Sequence, residues 1–151
     1  MGARSQDTVA KQFIGVWRLV STEQRMADGT TRASPIFGPN GVGYLMYSDA
    51  KRMCAVLMNP ARPKWVDPSN PTEQELRSAM NGLGAYCGTY DVDAGEGSVV
   101  HHVELDKVPN MIGTARKRLF TFTGNRLVLR LAPPLPGGVL ESSLTWERVK
   151  S

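Results

Sequence analysis

Hydrophobic and polar residues alternate along much of this chain, most clearly between residues 86 and 105. Two alternating runs there flank the sequence Ala-Gly-Glu-Gly, a pattern typical of a β-hairpin. Because neighbouring side chains of a strand point to opposite faces, Tyr86 and Tyr90 share the apolar face of the first strand. His101 shares the apolar face of the second strand. The pattern therefore predicts two tyrosines and a histidine on the inner side of a sheet.

The same alternation assigns the other residues of the second strand. Leu105 is expected inside with His101, whereas His102 and Asp106 are expected on the side that meets water. Since His101 and His102 would point to opposite faces, they do not form a metal-binding pair. The chain also lacks nucleotide-binding glycine motifs and a Cys-x-x-Cys motif. We therefore expect neither a metal ion nor another cofactor.

Similar short runs recur along the chain at spacings of about 8–15 residues. They predict eight or nine strands joined mostly by tight turns, which is typical of an all-β antiparallel sandwich or barrel. In the first strand, Trp17, Leu19 and Ser21 are expected to share one face. Closure into a barrel would remove the exposed edges of so many strands.

One α-helix is predicted, over residues 71–83. Asn70 is a suitable N-cap, Pro71 suits the first helical position, and Glu73 completes a capping-box pattern. Apolar residues recur at helical spacing and would pack on the sheet. We expect this helix to cap the open end of the barrel, either as a simple plug or as part of a site.

Length and charge limit the number of domains and the class of partner. A chain of 151 residues can form one domain with a sizeable core. We expect a polar lead-in over residues 1–12, with at most one short helical turn, and a single barrel domain over residues 13–150. The net charge of +4 is spread evenly, and strand alternation would divide the basic cluster at 116–118 between two faces. The charge therefore does not favour a nucleic-acid partner.

The two cysteines, Cys54 and Cys87, each lie in a strand-like run. We interpret them as small residues of the core or wall rather than as a disulfide, which favours a reducing compartment. No apolar run approaches the roughly 18 residues needed to span a membrane. The first residues lack the apolar core of a signal peptide. The sequence therefore predicts a soluble cytoplasmic protein with no membrane partner.

Two features at opposite ends of the chain fit the closure of a barrel. Gly15-Val16-Trp17 opens the first strand, and Arg148 lies near the end of the last. This resembles the lipocalin arrangement, in which an arginine packs across the tryptophan. Four runs in between resemble, in order, the small bacterial and fungal lipocalin-like domain family, and they are Gly43 to Ser48, Gly88 to Asp93, Val99 to Val103 and Pro109 to Thr114. The resemblance covers nearly the whole chain and implies a barrel with a cavity for a small, mostly apolar molecule.

His101 and Arg118 are the leading candidates for chemistry. A histidine that titrates near neutrality serves as an acid or base, but a buried one is also commonly a ligand contact or a core residue bonded to a neighbouring tyrosine. Arg118 shares its strand face with Phe120 and Phe122. If that face lines a cavity, its guanidinium is suited to an oxyanion. If Arg118 lies at the rim, the side chain extends to water instead.

The expected function is binding of a small hydrophobic or aromatic molecule inside the barrel. The alternative is a cofactor-independent isomerase, cyclase or hydrolase that acts on such a molecule, with His101 as acid or base and Arg118 holding an oxyanion. Aromatic rings would supply apolar walls, and tyrosine hydroxyls would add polar contacts, although tyrosines in a barrel wall also serve packing alone. The predicted ligand-binding residues are Tyr47, Tyr86, Tyr90, Phe120 and Phe122. The sequence does not indicate an oligomeric state.

Overall fold

The computed structural model describes residues 5–151, which form a closed antiparallel β-barrel with two α-helices. The helices are α1 (Gln6–Phe13) and α2 (Glu73–Asn81), and a 3₁₀ turn covers Pro109–Met111. The strands are β1 (Gly15–Met26), β2 (Thr31–Arg32), β3 (Val42–Tyr47), β4 (Arg52–Met58), β5 (Leu83–Asp93), β6 (Ser98–Asp106), β7 (Ala115–Thr123), β8 (Arg126–Leu131) and β9 (Val139–Arg148).

Strand pairing follows the order of the chain, apart from the contact that closes the barrel. From β3 to β9 each strand pairs with the next, and β1 pairs with both β3 and β9. The two-residue strand β2 lies beside the later part of β1, outside the eight strands of the closed barrel. Short connections between sequence neighbours require antiparallel pairing. The predicted all-β barrel of eight or nine strands is thus confirmed.

One end of the barrel is closed by α1 and the residues beneath it. Phe13 and Trp17 are fully buried, and the Trp17 indole N–H donates to the Phe13 carbonyl at 2.9 Å. The Arg148 guanidinium lies 4.2 Å from the centroid of the Trp17 ring. It also donates to the carbonyls of Gln12 and Ile14 at 2.6 and 2.8 Å. The expected closure of the barrel by Trp17 and Arg148 is confirmed.

Both helices differ from the expectation. α1 has eight residues with Ser5 as its N-cap, where the polar lead-in predicted at most one turn. α2 begins at Glu73, and its N-cap is Thr72 rather than Asn70. The capping box is formed by Thr72 and Glu75, two residues further along than the predicted pair Asn70 and Glu73. Neither helix of the described chain is long and apolar enough to cross a membrane.

A β-bulge reverses the assignment of faces near the end of β6. Cys87 pairs with Leu105, but the next residue of β5 pairs with the residue two positions before Leu105, so β6 accommodates one extra residue. Leu105 is consequently 64% exposed, and the Asp106 side chain is only 4% exposed, the opposite of the expectation. Gly88 permits the bulge, because a Cβ there would lie 1.7 Å from the carbonyl oxygen of His102.

A second bulge has the same effect in β1. Its register with β9 shifts between Leu19 and Ser21. Ser21 is therefore exposed, and Thr22 and Gln24 face inward in its place. The shared inner face predicted for Trp17, Leu19 and Ser21 ends at Leu19.

Cys54 and Cys87 are joined in a disulfide, which corrects the expectation of unpaired cysteines. They stand directly opposite each other on β4 and β5, at a Cα–Cα distance of 4.1 Å. Directly opposed residues of antiparallel strands bring their β-carbons close together, so this register allows the bond. The argument for a reducing compartment rested on unpaired cysteines and therefore loses its basis.

Candidate ligand-binding cavity

A cavity of about 290 Å³ lies at the barrel end opposite α1. Its mouth is lined by Ile36 and Phe37, from the loop between β2 and β3. No residue of α2 lines the cavity in the part of the chain that the structure describes, so this loop occupies the position expected for the helix. The apolar walls come from residues of several strands, and they are Leu45, Ala55, Leu57, Leu129, Leu131, Leu144 and Trp146.

His101 borders this cavity and is held between two tyrosines. Its Nδ1 atom lies 2.7 Å from the Tyr86 hydroxyl, and its Nε2 atom lies 2.6 Å from the Tyr47 hydroxyl. A neutral imidazole donates from one nitrogen and accepts at the other, so one tyrosine donates to the ring and the other accepts from it. Both polar atoms of this buried side chain therefore have partners inside the protein.

The surroundings of His101 keep the ring neutral. Burial lowers the pKa of His101 to about 3, and the positive charges of Arg118 and Arg116 add to the effect. Burial raises the pKa of Tyr47 well above its ordinary value. It also raises the pKa of Tyr86, where the two arginines offset part of the rise. All three hydrogen-bonded groups are therefore uncharged at neutral pH.

Arg116 belongs to the same wall, and its charge is paired. It is the cross-strand partner of His101 on β7. Its guanidinium lies 4.2 Å from the centroid of the Tyr86 ring and donates to the Asp106 carboxylate at 2.7 Å. A buried charge is tolerated when an opposite charge is bonded to it. The bulge that turns Asp106 inward thus supplies the counter-charge of Arg116.

Arg118 lines the cavity without such a partner. It is partly buried, and within residues 5–151 its side chain makes one hydrogen bond, from Nη1 to the carbonyl of Lys117 at 3.1 Å. None of the ion pairs formed by residues 5–151 includes Arg118. Glu23 also lines the cavity, but it is exposed and makes no ion pair with Arg118. Burial lowers the pKa of Arg118, although a guanidinium in a protein stays protonated.

The other predicted site residues do not line the cavity itself. The Tyr47 and Tyr90 rings pack edge to face with centroids 4.7 Å apart, and the Tyr90 hydroxyl donates to the Ser48 carbonyl. The Phe120 and Phe122 rings pack against Phe13 at 5.0 and 4.9 Å. These four rings form the floor beneath the cavity. The predicted site residues that do border the cavity are Tyr86, His101 and Arg118.

The barrel and its cavity can be compared with known proteins. The family model described as a lipocalin-like domain matches residues 14–149, a span that covers every strand. The chain belongs to the lipocalin-like domain family. The resemblance of nearly the whole chain to this family is therefore confirmed.

One relative of this lipocalin-like domain is a 4'-hydroxy-3'-methoxypropiophenone carrier protein from Aspergillus oryzae. It is 34% identical over 107 residues, which make up 64% of this chain and 96% of the relative. Two solved structures are more distant. A lipocalin-like protein from Bacteroides uniformis has a TM-score of 0.44 at 11% identity, with 91% of this chain and 98% of that chain covered. The fluorescent protein UnaG has a TM-score of 0.39 at 14% identity, with 93% and 99% covered.

Two residues that line the cavity of this lipocalin-like domain, Arg116 and Trp146, and the ion-pair partner Asp106 were missed as site residues from the sequence. Arg116 lies two positions before Arg118 and so shares its face, which alternation alone indicates. Trp146 shares a face with inward-facing Leu144, but it was assigned only to the last strand. The inward direction of Asp106 depends on the bulge in β6, and Gly88 is the main sign of that bulge in the sequence.

Proposed function

We propose that this lipocalin-like domain binds a small hydrophobic or aromatic molecule in the cavity at the open end of the barrel. The observation that carries the proposal is a largely apolar cavity of about 290 Å³ that polar side chains border at several points. Small-molecule sites commonly combine apolar walls with a few polar groups. The volume is near the lower limit of roughly 300–1,000 Å³ for such sites, which favours a compact ligand with one or two rings.

The Aspergillus oryzae relative supports an aromatic ligand. Its name describes a carrier of 4'-hydroxy-3'-methoxypropiophenone, and nearly its whole length aligns with this chain. That compound is a benzene ring with a hydroxyl, a methoxy group and a ketone. We propose a ligand of the same general kind here, an aromatic ring with oxygen substituents. The leucine walls would hold the ring, and Tyr86 and Arg118 would meet the oxygen atoms.

Filling the cavity tests this function. Ala55 lines the cavity and is buried, so Ala55→Trp would place an indole in the space for the ligand. Ala85→Trp is the matched control, because alternation in β5 places Ala85 on the outer face between inward Gly84 and Tyr86. Calorimetric titration with 4'-hydroxy-3'-methoxypropiophenone and 2-naphthol should give binding by the wild-type chain and the control.

Ala55→Trp should weaken that binding at least about tenfold, since an occupied cavity removes most of the contact area. Circular dichroism would establish that both variants keep the barrel. Binding of these compounds by Ala55→Trp at wild-type strength would place the ligand elsewhere. A wild-type chain that binds none of them would contradict the proposed ligand class.

A cofactor-independent isomerase, cyclase or hydrolase is the second candidate. The hydrogen-bonded chain of Tyr86, His101 and Tyr47 favours it, because such a chain can relay a proton to the cavity. The predicted role of His101 as acid or base is less suited to its pKa of about 3, and this favours binding over catalysis. Product analysis by mass spectrometry would decide between the two. An enzyme should form product that His101→Gln and Arg118→Gln abolish, whereas full turnover in both variants would remove this mechanism.

A further inference from the structure

Two buried hydrogen-bond donors of the cavity lining lack a partner in the described chain. The Nε atom of Arg116 and the Nε1 atom of Trp146 are buried and have no partner among residues 5–151. Both residues line the cavity. Arg118 adds a guanidinium whose one hydrogen bond to the described part of the chain goes to the Lys117 carbonyl beside it. Because buried donors in native proteins are almost always bonded, this group of donors indicates an acceptor that comes from outside the chain.

The charges around the cavity point the same way. Asp106 is bonded to Arg116, so that pair is neutral as a whole. Glu23 stands at the exposed rim, which leaves Arg118 as the unpaired charge of the inner wall. A partly buried guanidinium without a counter-charge is unfavourable until an opposite charge joins it. Its planar donor fork fits a carboxylate through two parallel hydrogen bonds.

We propose that the cavity binds its ligand as an organic anion, an aromatic carboxylate or a comparable oxyanion, with Arg118 as the counter-ion. The free N–H groups of Trp146 and Arg116 supply further donors to the same anionic group. The leucine walls hold the ring. This inference rests on the proposed binding function and specifies the chemical class of the ligand.

Two probes of nearly the same shape isolate the effect of charge. 2-Naphthoate and 2-acetonaphthone differ in a carboxylate against a methyl ketone on the same ring system. Calorimetric titration of the wild-type chain should give an affinity for the carboxylate about 10- to 100-fold higher than for the ketone, the range of a charge-assisted hydrogen bond. Arg118→Leu should weaken binding of the carboxylate far more than binding of the ketone, and so remove most of this preference. Arg118→Lys, which keeps the charge, should retain part of the preference.

Lys117→Leu is the matched control for loss of a positive charge. Lys117 is the neighbour of Arg118 in β7, but its side chain is exposed on the outer face and pairs with Glu96. This variant should keep the full preference for 2-naphthoate, and thermal unfolding would establish that every variant folds. Equal affinity of the wild-type chain for both probes, or an undiminished preference in Arg118→Leu, would overturn the anionic ligand but leave the binding function intact. If the wild-type chain binds neither of the two probes, the proposed binding function itself would be overturned.

Discussion

The two ends of the barrel each hold an inward-facing arginine, and the protein bonds them very differently. At the closed end, Arg148 stacks on Trp17 and donates to two backbone carbonyls. At the open end, Arg118 donates to a single carbonyl of its own strand and makes no ion pair within residues 5–151. An arginine with several internal partners serves the fold. One with free donors beside a cavity is available to a ligand.

The aromatic side chains are divided in the same way. Phe13, Tyr47 and Phe120 belong to a group of edge-to-face rings that fills the closed end. The open end is walled mainly by leucines, and much of its volume is cavity. Edge-to-face packing contributes about 0.5–1.5 kcal/mol per pair beyond burial, so it stabilises a solid floor. The aromatic residues of this sequence therefore mark the floor of the site more than its walls.

Removing an anchor of the closed end should have the largest effect on stability. Trp17→Ala would empty a fully buried position and should lower the free energy of unfolding by about 3–5 kcal/mol. Leu131→Ala at the open end should cost less, about 1–2 kcal/mol, because its side chain is only partly buried and already borders a cavity. Urea denaturation of both variants measures the difference. Equal losses at the two ends would show that the open end is packed as tightly as the closed one.

Replacement of either arginine with leucine should also change the free energy of unfolding differently at the two ends. Arg148→Leu loses two charge-assisted hydrogen bonds and the stacking on Trp17, and should cost about 2–3 kcal/mol. Arg118→Leu removes a partly buried charge without a counter-charge, and should leave stability unchanged or raise it by about 1 kcal/mol. Chemical denaturation without added ligand is the measurement. A loss in Arg118→Leu as large as that in Arg148→Leu would make Arg118 a structural residue.

Alternation and resemblance were sufficient to predict the barrel, the closure by Trp17 and Arg148, and the inward direction of His101. These features depend on a period of two that holds over several residues of each strand. Leu105 and Asp106 were assigned to the wrong faces because a bulge inserts one residue and reverses every later assignment. The sequence does not show directly where one strand has an extra residue opposite its partner.

Features that depend on strand register were harder to predict. The disulfide needs Cys54 and Cys87 to stand exactly opposite each other on β4 and β5, and alternation fixes the face of a residue but not its partner. The ion pair of Arg116 with Asp106 likewise depends on how β7 and β6 are aligned. The unpaired charge of Arg118 is visible only once all these partners are known. The cavity wall was therefore partly predictable by residue type, but its charge balance was not.

The smallest predicted effect is a pH dependence of the free energy of unfolding. It arises because His101 is buried in the inner wall, away from water. The pKa of His101 is about 3 in the folded chain, against an ordinary value of 6.5. Well above pH 6.5 neither state binds a proton here, so the free energy of unfolding does not change with pH. As the pH falls from 6.5 towards 3, the unfolded chain binds a proton that the folded chain does not, and the free energy of unfolding decreases. Between pH 6.5 and 5 the loss should be about 1.5 kcal/mol.

The tyrosines that face His101 do not titrate in this window, since Tyr47 and Tyr86 have raised pKa values. His101→Gln should therefore remove most of the decrease, measured by urea denaturation at several pH values. His102→Gln, on the exposed face, is the matched control and should retain it. An unchanged decrease in His101→Gln would mean that water reaches the ring and stabilises its charged form. The inner wall would then be wet, and Arg118 would need a ligand anion less, because solvent would already offset the cost of its charge.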